Sequence, residues 1–156
     1  MDELDESNEQ ALGAGPRIEG HTPAVLFLCG HNAGRSQMAA GWVRGLAGER
    51  ARVFSGGSNP SDDVNPTAVA AMAEVGIDIS SFQPRRWSIN QVEAADVVVS
   101  MGCGDTCPVL PGKRYDDWDL TDPAGQPIEV VRSVRDEIRD RVVNLLGELG
   151  VGVDVS

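Results

Sequence analysis

The sequence has no long hydrophobic run. Its longest apolar stretches, Ala24 to Cys29 and Val97 to Val99, are strand-sized. A membrane-spanning helix needs about 20 such residues, so no membrane association is expected. The opening MDELDESNEQ has neither a basic nor an apolar signal region, which points to a cytoplasmic protein. Positive charge is scarce as well. Thirteen Lys and Arg stand against 24 Asp and Glu, a net charge of −11. Residues 1–22 carry −5 of that and the remainder −6, so the body is acidic too. Nothing resembles the basic face of a nucleic-acid binder. An anionic ligand has to be held by local geometry, against the field of the whole molecule. Cysteine is rare and odd in number: Cys29, Cys103 and Cys107. An odd count in a chain without a signal segment argues against a disulfide framework. Two neighbouring cysteines with no histidine nearby make a poor zinc site, and no metal is expected.

What is present fits one ordinary globular domain. The 156 residues are 41% hydrophobic and 24% charged, enough to bury a core without staples. Residues 1–22 mix acids, Gly and Pro without periodicity and read as an acidic disordered leader. The domain proper is expected over 23–156.

Ala24 to Leu28 is a continuous apolar run, as in a strand buried on both faces of a parallel sheet. It enters Cys29-Gly-His-Asn-Ala-Gly-Arg35, and Ser36 opens a helical pattern with Met38, Ala39, Trp42, Val43 and Leu46 on one face. A second strand is expected at 52–55, ended by Gly56-Gly57. Asn65-Pro66 reads as an N-cap followed by proline at the first helical position, with a helix running to Gly76. Residues 77–87 read as loop, 88–94 as a short helix, 96–100 as a third strand and 114–118 as a weaker fourth. In the last helix, Val131, Val134, Ile138, Val142, Leu145 and Leu149 step by three or four. The arginines and aspartates between them, Arg135 included, read as mostly solvated.

Alternating strands and helices imply an α/β fold, a parallel sheet with helices on both faces. In such sheets ligands sit beyond the carboxyl ends of the strands. Three loops then share one rim: those carrying Cys29, the pair Cys103 and Cys107, and Asp122. The Cys29-x5-Arg35-Ser36 segment is suited to an oxyanion. Backbone N–H groups of a short loop can turn inward as a nest, a helix N-terminus adds positive potential, and Arg35 adds a planar fork. That setting favours the thiolate, the nucleophilic form. Gly30, His31, Asn32, Ala33, Gly34, Arg35 and Ser36 are the expected oxyanion-binding residues. Asn32 holds the loop and Ser36 donates to Cys29. A rim carboxyl such as Asp122 can protonate a leaving oxygen.

Three segments carry a family resemblance: VLFLCGHNAGRSQMAAG at 25–41, DVVVSMGCGDTCP at 96–108 and YDDWDLTDPAG at 115–125. Together with VRSVRDEIRDRV at 131–142 they resemble the arsenate reductases built on the low-molecular-weight tyrosine phosphatase fold, over residues 24–149. The resemblance implies a single-domain three-layer sandwich with a four-stranded parallel sheet in the order 2-1-3-4. It implies Asp122 as general acid/base, and Cys29, Arg35, Cys103, Cys107 and Asp122 as the catalytic set. It also implies reduction of arsenate to arsenite, with phosphate or sulfate as competing oxyanions. Cys29 attacks, Cys103 and Cys107 shuttle a disulfide, and thioredoxin regenerates the thiols from outside, with no tightly bound cofactor. A monomer is expected. Some members place an acidic residue that helps to bind potassium where Ala40 stands here.

Two alternatives remain open on the residues. One is recycling by a small thiol, mycothiol or glutathione, which fits a single-nucleophile enzyme better than one with three cysteines. The other is a protein tyrosine phosphatase. Such enzymes place aromatic residues after their Asp-Pro, whereas Ala124-Gly-Gln follows here. A non-catalytic oxyanion-binding domain is a third reading, which three thiols and an acid on one rim disfavour.

Overall fold

The computed structural model describes residues 21–101 and 111–153. Cys103, Cys107 and the first 20 residues of the expected leader lie outside the described residues. Four parallel strands form one sheet in the order β2-β1-β3-β4: β1 Ala24–Cys29, β2 Arg52–Gly57, β3 Val97–Ser100 and β4 Arg114–Asp117. This is the α/β sheet the resemblance implies. The helices are α1 Arg35–Ala47, α2 Pro66–Ala73, α3 Ile89–Ala94 and α4 Ile128–Glu148.

β1 is the hub because every one of its residues is apolar and buried. The strand's twofold alternation divides them between two cores. Val25, Phe27 and Cys29 face the larger cluster with residues of α1, α2 and α4. Leu26 and Leu28 face a smaller one with Val98 and with Val92 and Ala95 of α3 and its C-cap. Cys29 therefore ends its strand on the heavily covered side. Trp118 also packs there, its ring 5.6 Å from that of Phe27.

The local signals explain most boundaries. The Asn65 side chain accepts from the amides of Thr67 and Ala68, with Pro66 at the first helical position. Ser88 and Gln91 form a reciprocal capping box that starts α3. Two expectations need correction. β2 runs on through Gly56 and Gly57 instead of stopping before them. A Cβ on Gly57 would sit 2.7 Å from the Gly30 carbonyl oxygen and 2.8 Å from that of Cys29. The glycine is there for close approach. α2 also stops at Ala73, short of Gly76.

The third correction concerns Arg135, which is buried rather than solvated. Its Nη1 donates to the Ala71 carbonyl at 2.9 Å and to Glu74 Oε1 at 2.8 Å, and its Nε donates to Asp136. Its own carbonyl accepts from Trp42 Nε1 at 3.1 Å. One residue thus ties α1, α2 and α4 together. Hydrogen bonds from Arg132 and then Arg135 hold the Glu74 carboxyl down to about 2. A depressed carboxylate stabilises the fold above its unfolded pKa and loses that contribution as pH falls through the folded value. Glu74→Gln is therefore expected to lower stability at pH 6. The gap to wild type should close between about pH 4.5 and pH 2, as read by denaturant unfolding across that range.

Among the described residues, no helix is long and apolar enough to cross a membrane.

Candidate active site

The site is built where β1 hands over to α1. Cys29 is the last strand residue, and α1 begins at Arg35. The chain between has to reverse its backbone direction without burying unpaired carbonyls. It does so by lying against residues 59–65. The carbonyls of Gly30, His31 and Ala33 accept from the amides of Asn59, Ser61 and Asn65 at 2.8, 3.0 and 2.8 Å. The loop's carbonyls are thereby taken up on its outer side. The amides of His31 to Ser36 donate to no partner among the described residues. Gly34 caps α1 without a side-chain hydrogen bond, so the helix end stays open to a ligand.

Asn32 fixes the loop. It has φ = 52°, in the left-handed region that Asn tolerates better than most residues. It is fully buried and held by Ser36, Gln37 and Arg85. Its Nδ2 donates to Ser36 Oγ at 2.7 Å, and its Oδ1 accepts from the Arg85 amide at 2.9 Å. Gln37 Nε2 donates to its backbone oxygen at 3.0 Å and to its Oδ1 at 3.2 Å. With Asn32 donating to it, Ser36 Oγ is free to direct its own hydrogen at Cys29 Sγ, 2.9 Å away. The chain Asn32–Ser36–Cys29 thus delivers a hydrogen bond to the sulfur. A hydrogen bond to a charged group contributes about 1.5–3 kcal/mol. Ser36→Ala is accordingly expected to slow iodoacetamide alkylation of Cys29 at neutral pH by about tenfold or more. An unchanged rate would show that the sulfur does not use this bond.

Arg35 and Asp122 close the other side. Arg35 Nη1 donates to the Leu120 carbonyl at 3.3 Å, and its Nη2 lies 3.7 Å from Asp122 Oδ2. The arginine is nearly covered, whereas Asp122 is more than half exposed. Asp122 Oδ1 accepts from the Ala124 amide at 3.0 Å, which makes Asp122-Pro123-Ala124 an Asx turn. Pro123 packs so tightly on Gly34 that a Cβ there would meet its Cγ at 2.9 Å. Glycine at 34 lets the acid approach the loop.

The result is a cleft of about 260 Å³ with Cys29, Arg35 and Asp122 in its wall. The expected residues His31, Ala33 and Gly34 line it as well. Gly30, Asn32 and Ser36 support it from behind. His31 is exposed, and its Nδ1 donates to the Asn59 carbonyl at 3.0 Å. Among the described residues, no aromatic side chain lines the cleft. Cys103 and Cys107 lie outside the described residues. Ser61, Asp63 and Asn65 form the opposite wall and were not anticipated. Ser61 and Asn65 take part through backbone amides, which leave no side-chain pattern in a sequence. Gln37 was missed too. Its signal is a polar residue between Ser36 and the apolar Met38, on a helix buried almost all round. Among the described residues, no group of three or more His, Cys, Asp or Glu could hold a metal ion.

Sheet order and cleft together define a class: single-domain α/β proteins with a cysteine on the floor of an amide-lined loop. The family model described as "Low molecular weight phosphotyrosine protein phosphatase" matches residues 24–154, and the chain belongs to that family. Its relatives include a glutaredoxin arsenate reductase of Synechocystis, 41% identical over 80% of this chain and 97% of that protein. An arsenate reductase of Staphylococcus haemolyticus is 40% identical over 76% of this chain and 92% of that one. A solved thioredoxin-dependent arsenate reductase of Corynebacterium glutamicum superposes with a TM-score of 0.73. It is 34% identical, over 95% of this chain and 69% of that one.

Proposed function

We propose that the protein reduces arsenate to arsenite. The carrying observation is the cleft itself. A thiol held by Ser36 shares the cleft with Arg35 and a rim carboxyl, beside loop amides without partners and no aromatic wall among the described residues. Relatives named arsenate reductases, about 40% identical over most of the chain, support the same reading.

In this scheme the amides of 31–36 and Arg35 bind the oxyanion. The Cys29 thiolate attacks arsenic, and one arsenic-bound hydroxyl leaves as water with a proton from Asp122. A thiol–arsenate adduct remains. The Cys103 thiolate attacks the Cys29 sulfur and the S–As bond breaks. Its electron pair stays on arsenic, and arsenite departs. Two thiols have become the Cys29–Cys103 disulfide, which balances the two electrons that arsenic gains. Cys107 then attacks Cys103, releasing Cys29 and leaving a Cys103–Cys107 disulfide for an external dithiol. Three cysteines favour thioredoxin as that dithiol, and the named dependence of the Corynebacterium relative agrees. The Synechocystis relative's name points to glutaredoxin instead.

The test is arsenate-dependent NADPH oxidation with thioredoxin and its reductase, set beside glutathione, glutaredoxin and glutathione reductase. Turnover with thioredoxin that is lost in both Cys103→Ser and Cys107→Ser is expected. Turnover only with glutathione and glutaredoxin, tolerant of both substitutions, would replace the relay with small-thiol recycling. Hydrolysis of p-nitrophenyl phosphate with no arsenate turnover in either system would make the protein a phosphatase.

A further inference from the structure

A second polar cavity, of about 270 Å³, opens beside the outer strand β2. Gln37, Arg44, Ser55, Ser81, Phe82 and Arg85 are among its lining residues. Its charge is out of keeping with the chain. In a protein of net charge −11, ion pairs among the described residues give carboxylate partners to Arg35, Arg114, Arg132, Arg135, Arg139 and Arg141. Arg44 and Arg85 have none among the described residues. They are nevertheless held in one place. The Arg44 guanidinium carbon sits 4.3 Å from the centre of the Phe82 ring. The Arg85 backbone is pinned at both ends, its amide on Asn32 Oδ1 and its carbonyl on the Gly57 amide at 3.0 Å. Both arginines are exposed, and partial cover, then the like charge of Arg85, lowers the Arg44 pKa. The two like charges repel, and an anion between them would relieve that repulsion.

Gln37 supplies an independent observation. Its side chain is 2% exposed. Both of its hydrogen bonds run through Nε2 to Asn32, and its Oε1 has no partner among the described residues. A buried carbonyl oxygen without a donor is unusual and calls for one. Gln37 also lines the cavity, so a ligand offering acceptors to the two arginines and a donor to this amide oxygen would satisfy all three groups.

We propose that this cavity is a second oxyanion site, selective for tetrahedral dianions that keep a proton, such as hydrogenphosphate or hydrogenarsenate. Sulfate carries no proton at neutral pH and cannot supply that donor. The site shares a wall with the first, because Gln37 and Arg85 are two of the three groups that hold Asn32. It does not depend on which oxyanion the Cys29 cleft transforms.

The test is an amide-resolved NMR titration with inorganic phosphate, arsenate and sulfate. It uses full-length Cys29→Ser protein, in which no reduction can occur. Phosphate or arsenate is expected to move two sets of signals with separate midpoints, one over 30–36 and one over 81–85. Arg44→Gln and Arg85→Gln, each added separately, should weaken the second midpoint at least tenfold and spare the first. Arg35→Gln should do the reverse. Sulfate should move the first set and bind the second at least tenfold more weakly than phosphate. The tighter of phosphate and arsenate at 81–85 identifies the occupant. Three results would overturn the proposal: signals moving only over 30–36, a midpoint at 81–85 that follows Arg35→Gln, or equal affinity for sulfate and phosphate. Two separate arginine variants guard against a folding loss in one of them, with thermal unfolding as the control.

Discussion

Replacing Cys29 by serine is expected to lower arsenate turnover by about 10⁴-fold or more, as loss of a nucleophile does elsewhere. The fold should not notice. Serine is close in size, and the position already has a hydroxyl partner in Ser36 at 2.9 Å. Oxyanion affinity should also survive. On the proposed scheme the amides of 31–36 and the Arg35 guanidinium bind the anion, and none of them is bonded to the sulfur. The informative outcome is that split, with chemistry lost and sulfate binding within a few-fold of wild type. A variant that loses both would mean that the sulfur organises the loop. A variant that keeps turnover would remove Cys29 from the reaction.

The second large effect is expected at Asp122. Asp122→Asn keeps the shape of the Asx turn, since an amide oxygen can still accept from the Ala124 N–H. On the proposed scheme it also removes the proton that the departing hydroxyl takes. General acid catalysis contributes about 10²–10⁴-fold, so arsenate turnover should drop by that much. Iodoacetamide alkylation of Cys29 involves no leaving hydroxyl and should be unchanged. This contrast separates the acid from the nucleophile. If alkylation falls in step with turnover, Asp122 acts on the thiol or on the loop. Its 3.7 Å approach to Arg35 offers a route for that.

The parts of the site differ in how much of them a local sequence pattern specifies. Cys29, Arg35 and Ser36 were legible because one local pattern specifies them: a fully apolar strand, a short glycine-bearing loop, then a helix. Asp122 is distant in sequence. It was placed by topology, since loops after parallel strands share a rim. The opposite wall was not legible. Ser61 and Asn65 reach the loop by backbone amides, and any residue but proline has one. The extension of β2 was hidden for a related reason. Gly56-Gly57 reads as a breaker, yet the glycines are there because Trp87 and the Cys29–Gly30 backbone come so near. Arg135 misled in the other direction. A charged residue within a charge run looks solvated, and only tertiary contacts with Ala71 and Glu74 bury it. Trp118, buried against Phe27, belongs to the core and does not line the cleft.

The absence of a ring among the cleft residues bears on substrate choice. Among the described residues, none in the cleft wall offers a ring to stack on an aryl phosphate. Relatives in the same family span reductases and phosphatases by name, so the difference has to be measured on this chain.

A single-turnover experiment does so most directly. Reduced protein is mixed with excess arsenate and no external reductant. Arsenite and remaining thiols are then counted per chain. One arsenite formed and two titratable thiols lost is the expected result, because arsenic then took its two electrons from the chain's own cysteines. All thiols retained with no arsenite formed would contradict reduction by the protein's own cysteines and leave the cleft a binding or hydrolytic site.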